Sequence, residues 1–242
     1  MMAADLHRAW RELPIGNLTD VAGTGACLIL APHPDDESLG CGGLIAALCR
    51  SGRPPVVAVL TDGAGSHPGS HDWPPERLRE VRSQEVRTAA ALLGLPADRL
   101  VLLGQPDCHA PHPGDDGFDA VVTRIRDVAR DFGCDRILAT WEYDPHCDHL
   151  AACHIAAEAV RRSDLLLMAF PVWGWTLENE LTTASVRGFR LDISGVQVLK
   201  RRAIQAHASQ LGRLITDDPA GFTLPDTLLA VAAAPFETFL LA

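Results

Sequence analysis

Short, continuously apolar segments alternate with amphipathic helical segments along most of the chain, and this alternation restricts the fold more than any other feature. Strands without polar alternation are typical of parallel sheets covered by helices on both faces. The predicted strands are Cys27–Pro32, Val56–Thr61, Leu100–Leu103, Arg136–Thr140 and Leu165–Val172, and the predicted helices are Leu39–Arg50, Glu76–Leu93, Ala120–Phe132 and His149–Arg162. The sequence therefore predicts an α/β fold with a mostly parallel sheet.

The 242 residues contain no repeat, low-complexity tract or linker, which predicts a single domain over residues 1–242. The C-terminal third is less regular, with a predicted helix over Val196–Leu211. Two loops rich in Gly, Pro, His and Asp, Asp62–Pro75 and Gln105–Gly117, each follow a strand. Ligands of open parallel sheets bind at the carboxyl ends of strands, so these loops either contribute to a site there or are solvated connections.

Charge and cysteine content exclude several classes of protein. A net charge of −10 is unsuited to binding nucleic-acid phosphates or anionic membranes. No apolar run approaches the roughly 18 residues of a membrane span, and residues 1–16 do not resemble a secretory signal. The seven cysteines are odd in number and form no C-x-x-C pair, which argues against a disulfide framework. We therefore expect a cytoplasmic protein with no nucleic-acid or membrane partner.

The segment Pro32-His33-Pro34-Asp35-Asp36-Glu37 follows the first predicted strand directly. It crowds one imidazole and three carboxylates at one strand end, and neighbouring carboxylates repel one another unless a cation balances them. The alternative is a negatively charged helix N-terminus, which the helix dipole favours. That alternative accounts for the acids but not for a histidine held between two prolines, so the segment indicates a metal site.

A second motif, His146-Cys147-Asp148-His149, follows the predicted strand Arg136–Thr140. Histidines three apart on the first turn of a helix face the same side, and Asp148 is placed to fix the tautomer of an imidazole. Cys147 points about 100° away and is expected to pack. Because both motifs follow parallel strands, they can reach the same sheet edge. Two histidines and one carboxylate with an open position are typical of hydrolytic zinc sites, although ferrous iron fits the same donors.

Together the two motifs resemble the PIG-L/LmbE-like family of zinc-dependent N-deacetylases. Further matches are Thr61-Asp62-Gly63, Arg82-x-x-Glu85, Pro106-Asp107 and Lys200…His207-x-Ser209-Gln210. The resemblance implies a Rossmann-like fold and hydrolysis of the N-acetyl group of a small-molecule amino sugar or sugar conjugate. It implies zinc ligands His33, Asp36 and His149, a general base at Asp35, and stabilisation of the tetrahedral intermediate by His146.

One position departs from the family pattern. Some members carry a mobile tyrosine two residues before the first histidine of the second motif, where this chain has Asp144. The chain's only tyrosine, Tyr143, lies one residue earlier, so its role stays open. Beside His146, the carboxylate of Asp148 is expected to favour the protonated imidazole.

Three further residues are candidates for substrate binding: Arg82, Asp107 and His207. Arg82 and Glu85 lie inside the apolar stripe of the predicted helix Glu76–Leu93, where ionised groups are costly unless paired. Being three apart, they can pair with each other, or Arg82 can reach substrate hydroxyls. His207 also shares an apolar stripe, so the alternative for it is a satisfied core histidine.

Other functions remain open at this stage. The same metal site could cleave another amide, an ester or a phosphate ester, and a non-catalytic carbohydrate-binding relative is a further alternative. Gly40-Cys41-Gly42-Gly43 is a weak match to a nucleotide- or methyl-donor-binding enzyme of Rossmann type. These glycines fall inside a predicted helix rather than in a strand-to-helix turn, which favours close helix–sheet packing. The oligomeric state is also open, a homo-oligomer included.

Overall fold

The computed structural model describes residues 2–178 and 186–242. Within these ranges one sheet contains β1 (Ile15–Gly16), β2 (Ala26–Ala31), β3 (Val56–Thr61), β4 (Leu100–Gln105), β5 (Cys134–Thr140), β6 (Leu166–Phe170), β7 (Gly188–Asp192) and β8 (Phe236–Leu241). The α-helices are α1 (Ala3–Glu12), α2 (Leu18–Ala22), α3 (Asp36–Arg50), α4 (Pro75–Leu92), α5 (Phe118–Asp131), α6 (Cys147–Arg161), α7 (Gln197–Ala206) and α8 (Asp226–Ala232).

The strand order across the sheet is β1-β7-β8-β6-β5-β2-β3-β4. Neighbouring strands run parallel except at β8, which is antiparallel to both β6 and β7. The α/β class and the mostly parallel sheet are therefore confirmed. From β2 the chain adds β3 and β4 on one side, and it later returns to add β5 on the other side of β2. The order in which strands are added therefore reverses between β2 and β5, although the two strands are parallel. Ligands of open α/β sheets bind at such a switch point.

Helices cover both faces of the sheet, which explains why the central strands are apolar throughout. Consecutive residues of a strand point to opposite faces, and Ile29 and Leu30 accordingly enter separate hydrophobic cores. One core contains residues of α3, α4 and α7, and the other contains residues of α5 and α6. The motifs that follow β2 and β5 are therefore attached to strands that are packed on both faces.

Some local predictions need correction. Helix α3 begins at Asp36 rather than Leu39, so the acids of the first motif form the first turn of a helix as well as the edge of the site. The single helix predicted over Val196–Leu211 ends at Ala206, and a short 3-10 turn follows His207. Helix α1 and strand β8 were not predicted. None of the described helices combines the length and apolar character needed to cross a bilayer.

The glycines of α3 serve close packing, as predicted. A Cβ at Gly40 would overlap the ring of Phe170, and a Cβ at Gly43 would lie 2.5 Å from Cγ2 of Ile193. The glycines lie in the helix interior, not in the strand-to-helix turn where phosphate-binding glycines are found. They therefore give no support to the nucleotide-binding alternative.

Candidate active site

A cavity of about 160 Å³ opens at the carboxyl ends of the parallel strands. Its polar wall contains residues of both motifs, of helix α4 and of the loop after β4: His33, Asp35, Asp36, Arg82, Asp107 and His146. Its apolar wall is made by Leu39, Trp173, Phe222 and Leu224. The loops after β3 and β4 also contribute Gly65, Ser66 and Cys108, so both predicted site loops reach the cavity.

Of the three predicted metal ligands, His33 and Asp36 line this cavity, and His149 is fully buried next to Asp36. Oδ2 of Asp36 lies 3.1 Å from Nδ1 of His33 and 3.1 Å from Nε2 of His149. Two ligand atoms about 2.0–2.2 Å from a tetrahedral zinc ion would be roughly 3.3–3.6 Å apart, close to these separations. Nε2 of His149 is buried and has no hydrogen-bond partner, although it faces this carboxylate. An unpaired, buried imidazole nitrogen beside two further donors fits a metal ligand.

Carboxylates surround His33 on both sides of its ring. Its Nε2 lies 3.0 Å from Oδ2 of Asp148 and 3.3 Å from Oδ1 of Asp107. Burial lowers the pKa of His33, but hydrogen bonds with Asp107, Asp148 and Asp36 outweigh it and raise the pKa well above its usual value. His33 therefore belongs to more than one group of side chains that could hold a metal ion. Two of these groups are His33–His146–His149 and His33–Asp107–Asp148, and the ligand atoms within each group lie within 4.8 Å of one another.

The carboxylate of Asp148 contacts an imidazole as expected, but the ring is that of His33 rather than that of His146. Both carboxylate oxygens of Asp148 are engaged elsewhere: Oδ2 contacts His33 and accepts the Cys108 N–H at 2.7 Å, and Oδ1 accepts the Ala110 N–H at 3.1 Å. It is the backbone N–H of Asp148 that donates to Nδ1 of His146, at 3.2 Å. Burial and the neighbouring histidines lower the pKa of His146 despite Asp148, so the expected protonated imidazole is not favoured in this environment.

Asp144 holds His149, the second predicted histidine ligand, in a contact that the sequence did not reveal. Nδ1 of His149 donates to Oδ2 of Asp144 at 2.9 Å. The same carboxylate accepts the backbone N–H groups of Val172, Trp173 and Gly174 at 3.0, 3.1 and 2.6 Å. The position of the family's mobile tyrosine is thus taken by a buried carboxylate that fixes the ring of His149. The departure from the family pattern was the signal that could have drawn attention to it.

Tyr143 does not replace the missing tyrosine in this structure. Its side chain is 37 % exposed and packs edge-on against Trp141, with ring centroids 5.1 Å apart. Tyr143 is not one of the described residues that line the cavity.

Asp35 lies at the start of α3 in an unusual backbone conformation, with φ of +152°. A non-glycine residue in this region is strained, and such strain is concentrated at functional sites. Nη2 of Arg82 lies 3.2 Å from Oδ2 of Asp35 and donates to the Pro34 carbonyl at 2.8 Å. Burial raises the pKa of Asp35 to about 6, although the Arg82 charge opposes the rise.

Of the two alternatives left open for Arg82, pairing with Glu85 does not occur, because each of the two residues finds a partner on another element. Arg82 binds the loop of the first motif, whereas Glu85 accepts the backbone N–H and the hydroxyl of Ser209 at 2.8 and 2.6 Å. Both residues are buried, and partners at the site and in the C-terminal region bind Nη1 and Nη2 of Arg82 and the carboxylate of Glu85, whereas Nε of Arg82 has no hydrogen-bond partner. Arg82 consequently faces the cavity, as substrate binding would require.

Of the other predicted substrate-binding residues, only Asp107 lies on the described cavity wall. His207 is 1 % exposed, and its Nε2 lies 3.2 Å from Oε1 of Glu37 and 3.3 Å from the Ser38 hydroxyl. The other oxygen of Glu37 accepts the backbone N–H of Asp35 at 3.0 Å. The structure thus places His207 behind the site, where it supports the loop that carries Asp35, rather than at a substrate-facing position.

Comparisons with known proteins agree with this geometry. Residues 28–160 match the sequence model of a family described as "PIG-L: GlcNAc-PI de-N-acetylase". The chain is 30% identical to 2'-N-acetylparomamine deacetylase of Streptomyces fradiae, over 86% of this chain and 79% of the relative. It is 31% identical to diacetylchitobiose deacetylase of Thermococcus kodakarensis, over 76% and 69% of the two chains.

The fold matches solved structures as well. It is similar to N,N'-diacetylchitobiose deacetylase from Pyrococcus horikoshii with a TM-score of 0.65 and 22% identity, over 99% of this chain and 92% of that one. At this level of identity the likeness establishes the fold, with its mixed sheet between helices.

Proposed function

Because the chain belongs to the PIG-L family, we propose that it is a metal-dependent hydrolase that removes an N-acetyl or similar N-acyl group from an amino sugar or sugar conjugate. The products are acetate, or the corresponding acid, and a free amine. The observation that carries this proposal is the position of Asp36 Oδ2, 3.1 Å from a nitrogen of each of two histidines, at the base of a cavity that also contains Asp35 and His146. Relatives named as deacetylases of acetylparomamine and diacetylchitobiose support it.

His33, Asp36 and His149 would hold the metal, with zinc as the first candidate and ferrous iron as the second. Such an ion, when bound, lowers the pKa of water and polarises a carbonyl group. The protein supplies the rest of the site. Asp144 and Asp148 hold the outer nitrogens of His149 and His33, which fixes the orientation of both rings.

Asp35 is the proposed general base. It is 5% exposed, lines the cavity and carries a pKa raised to about 6, so at neutral pH it is mostly ionised and able to accept a proton from water. The protonated carboxyl can then deliver this proton to the departing amine. Arg82 positions the carboxylate, since it contacts both the side chain of Asp35 and the carbonyl of Pro34.

His146 is the proposed donor to the oxyanion of the tetrahedral intermediate. Because its Nδ1 accepts the backbone N–H of Asp148, the neutral ring carries its proton on Nε2. A neutral imidazole can thus donate from the cavity wall without being protonated first. A donor of this kind is worth about 2.7–4 kcal/mol of transition-state stabilisation in comparable sites.

The apolar wall suits the carbon face of a sugar ring. Trp173 lines the cavity and packs against Phe222 with ring centroids 5.6 Å apart, which holds the indole in place. Aromatic rings commonly provide large, rigid contact surfaces of this type.

We propose further that residues 1–242 act as one catalytic domain, and that the seven free cysteines reflect a cytoplasmic location.

The test is an acetate-release assay on the purified, zinc-loaded protein, with N-acetylated amino sugars and their conjugates set against ester and phosphodiester substrates. We expect release from the sugars, and we expect Asp35→Asn to bind zinc normally while losing several orders of magnitude in turnover. Tyr143→Phe, an exposed neighbour of the second motif, is the matched control. Activity that survives exhaustive chelation, or near-normal turnover by zinc-loaded Asp35→Asn, contradicts the proposal.

A further inference from the structure

A second group of metal-binding side chains lies beside the catalytic one, at the rim of the cavity. Cys108, His146, Cys147 and Asp148 each offer a ligand atom, and these four atoms lie within 4.8 Å of one another. Sγ of Cys147 is 3.9 Å from Nδ1 of His146 and 3.9 Å from Oδ1 of Asp148. Around a tetrahedral zinc ion with bonds of about 2.0–2.3 Å, such atoms would be roughly 3.3–3.8 Å apart. Small side-chain rotations would therefore close the group around an ion.

The two thiols come from different parts of the chain and are both exposed. Cys108 follows β4 and has a left-handed backbone with φ of +62°, and its N–H is anchored to Asp148. Cys147 is the first residue of α6 and does not pack as the sequence predicted. An exposed thiol pair next to an imidazole, with Cys108 on the cavity wall, is accessible to ions from solvent.

We propose that Cys108, Cys147, His146 and Asp148 form a second site for a thiophilic divalent cation, Zn²⁺ above all, separate from the His33–Asp36–His149 centre. The donor set decides the class of ion. Two sulfur ligands and an imidazole favour zinc and cadmium, whereas magnesium and calcium prefer oxygen ligands. The catalytic donor set contains no sulfur, so the two sites are chemically distinguishable.

Occupation of this site would inhibit hydrolysis, a consequence that rests on the proposed function. An ion bound to Nδ1 of His146 takes the nitrogen that now accepts the Asp148 N–H, and an ion on Oδ1 of Asp148 competes with the Ala110 N–H. Both residues would then be displaced from their present positions, and Asp148 also holds His33. Zinc would thus activate the protein through one site and inhibit it through the other.

The test is a cadmium titration of the metal-free, full-length protein, followed by equilibrium dialysis and by the thiolate-to-cadmium charge-transfer band in the ultraviolet. We expect two equivalents of cadmium and a charge-transfer band for the wild type. The double variant Cys108→Ser/Cys147→Ser should bind one equivalent fewer and lose the band. Cys153→Ser, which removes a half-buried thiol elsewhere on α6, is the matched control and should keep both.

Absence of the band in the wild type, or a band that persists in the double variant, overturns the second site. In the activity arm, excess zinc should inhibit the wild type and the Cys153→Ser control at least tenfold more strongly than the double variant. Equal inhibition of all three overturns the inhibitory role. Because the band and the stoichiometry are measured without substrate, a chain that released no acetate would refute the proposed function and leave the second site to be judged on binding alone.

Discussion

Asp144 connects His149, a proposed metal ligand, to the loop after β6, so replacing Asp144 by asparagine should weaken metal binding and stability together. Its Oδ2 accepts from Nδ1 of His149 and from two backbone amides, and its Oδ1 accepts from the N–H of Gly174. Asparagine keeps one oxygen, and its NH₂ group takes the place of the other. Since NH₂ is a donor, at least one buried backbone N–H then loses its acceptor. An unsatisfied buried donor costs about 1–3 kcal/mol of unfolding free energy.

The effect on metal affinity follows from the lost charge. The carboxylate fixes the ring of His149, which is fully buried, and raises its basicity as a ligand. Losing such a partner typically costs about 10–100-fold in metal affinity. The affinity is measured by competition with a chelator of known strength, and the unfolding free energy by urea denaturation of the metal-free protein. Tyr143→Phe is the matched control and should change stability by less than about 0.5 kcal/mol.

Two results would refute this reasoning in different ways. If Asp144→Asn binds zinc as tightly as the wild type, the carboxylate does not orient the ligand. If affinity falls but the unfolding free energy does not, the contacts with the backbone amides contribute no net stability.

The remaining predictions concern the general base and the packing of α3. Arg82→Gln removes the charge that opposes the raised pKa of Asp35, so the acid limb of kcat/KM should move to higher pH and activity near neutrality should fall; a shift to lower pH would contradict this. Gly40→Ala should lower the free energy of unfolding, measured by urea denaturation, by up to about 2 kcal/mol, because overlap with Phe170 outweighs the gain in helix propensity of about 1 kcal/mol. Gly195→Ala, whose Cβ would meet no atom within 4 Å, should be close to neutral, and equal effects at both glycines would count against the packing argument.

The convergence of the two motifs could be predicted from the sequence because it depends on local signals. The apolar runs that became β2 and β5 identify buried parallel strands, and the residues that follow such strands must emerge at one sheet edge. The adjacency of β2 and β5, which belongs to the tertiary structure, then brings His33, Asp36 and His149 near one another at that edge. The glycines of α3 were also interpreted correctly, since their position inside a helical segment excluded a phosphate-binding turn.

The partners of the buried charges were decided only by the tertiary structure. Helical spacing placed Arg82 and Glu85 on one face and allowed them to pair, yet Arg82 binds Asp35 and Glu85 binds Ser209. Periodicity reports which side of a helix is buried, but a buried charge takes its partner from whichever loop packs there. Asp148 contacts His33 from 115 positions away for the same reason. Sequence spacing thus determined which edge of the sheet carries the site, and the packing of distant loops determined how each of its groups is held.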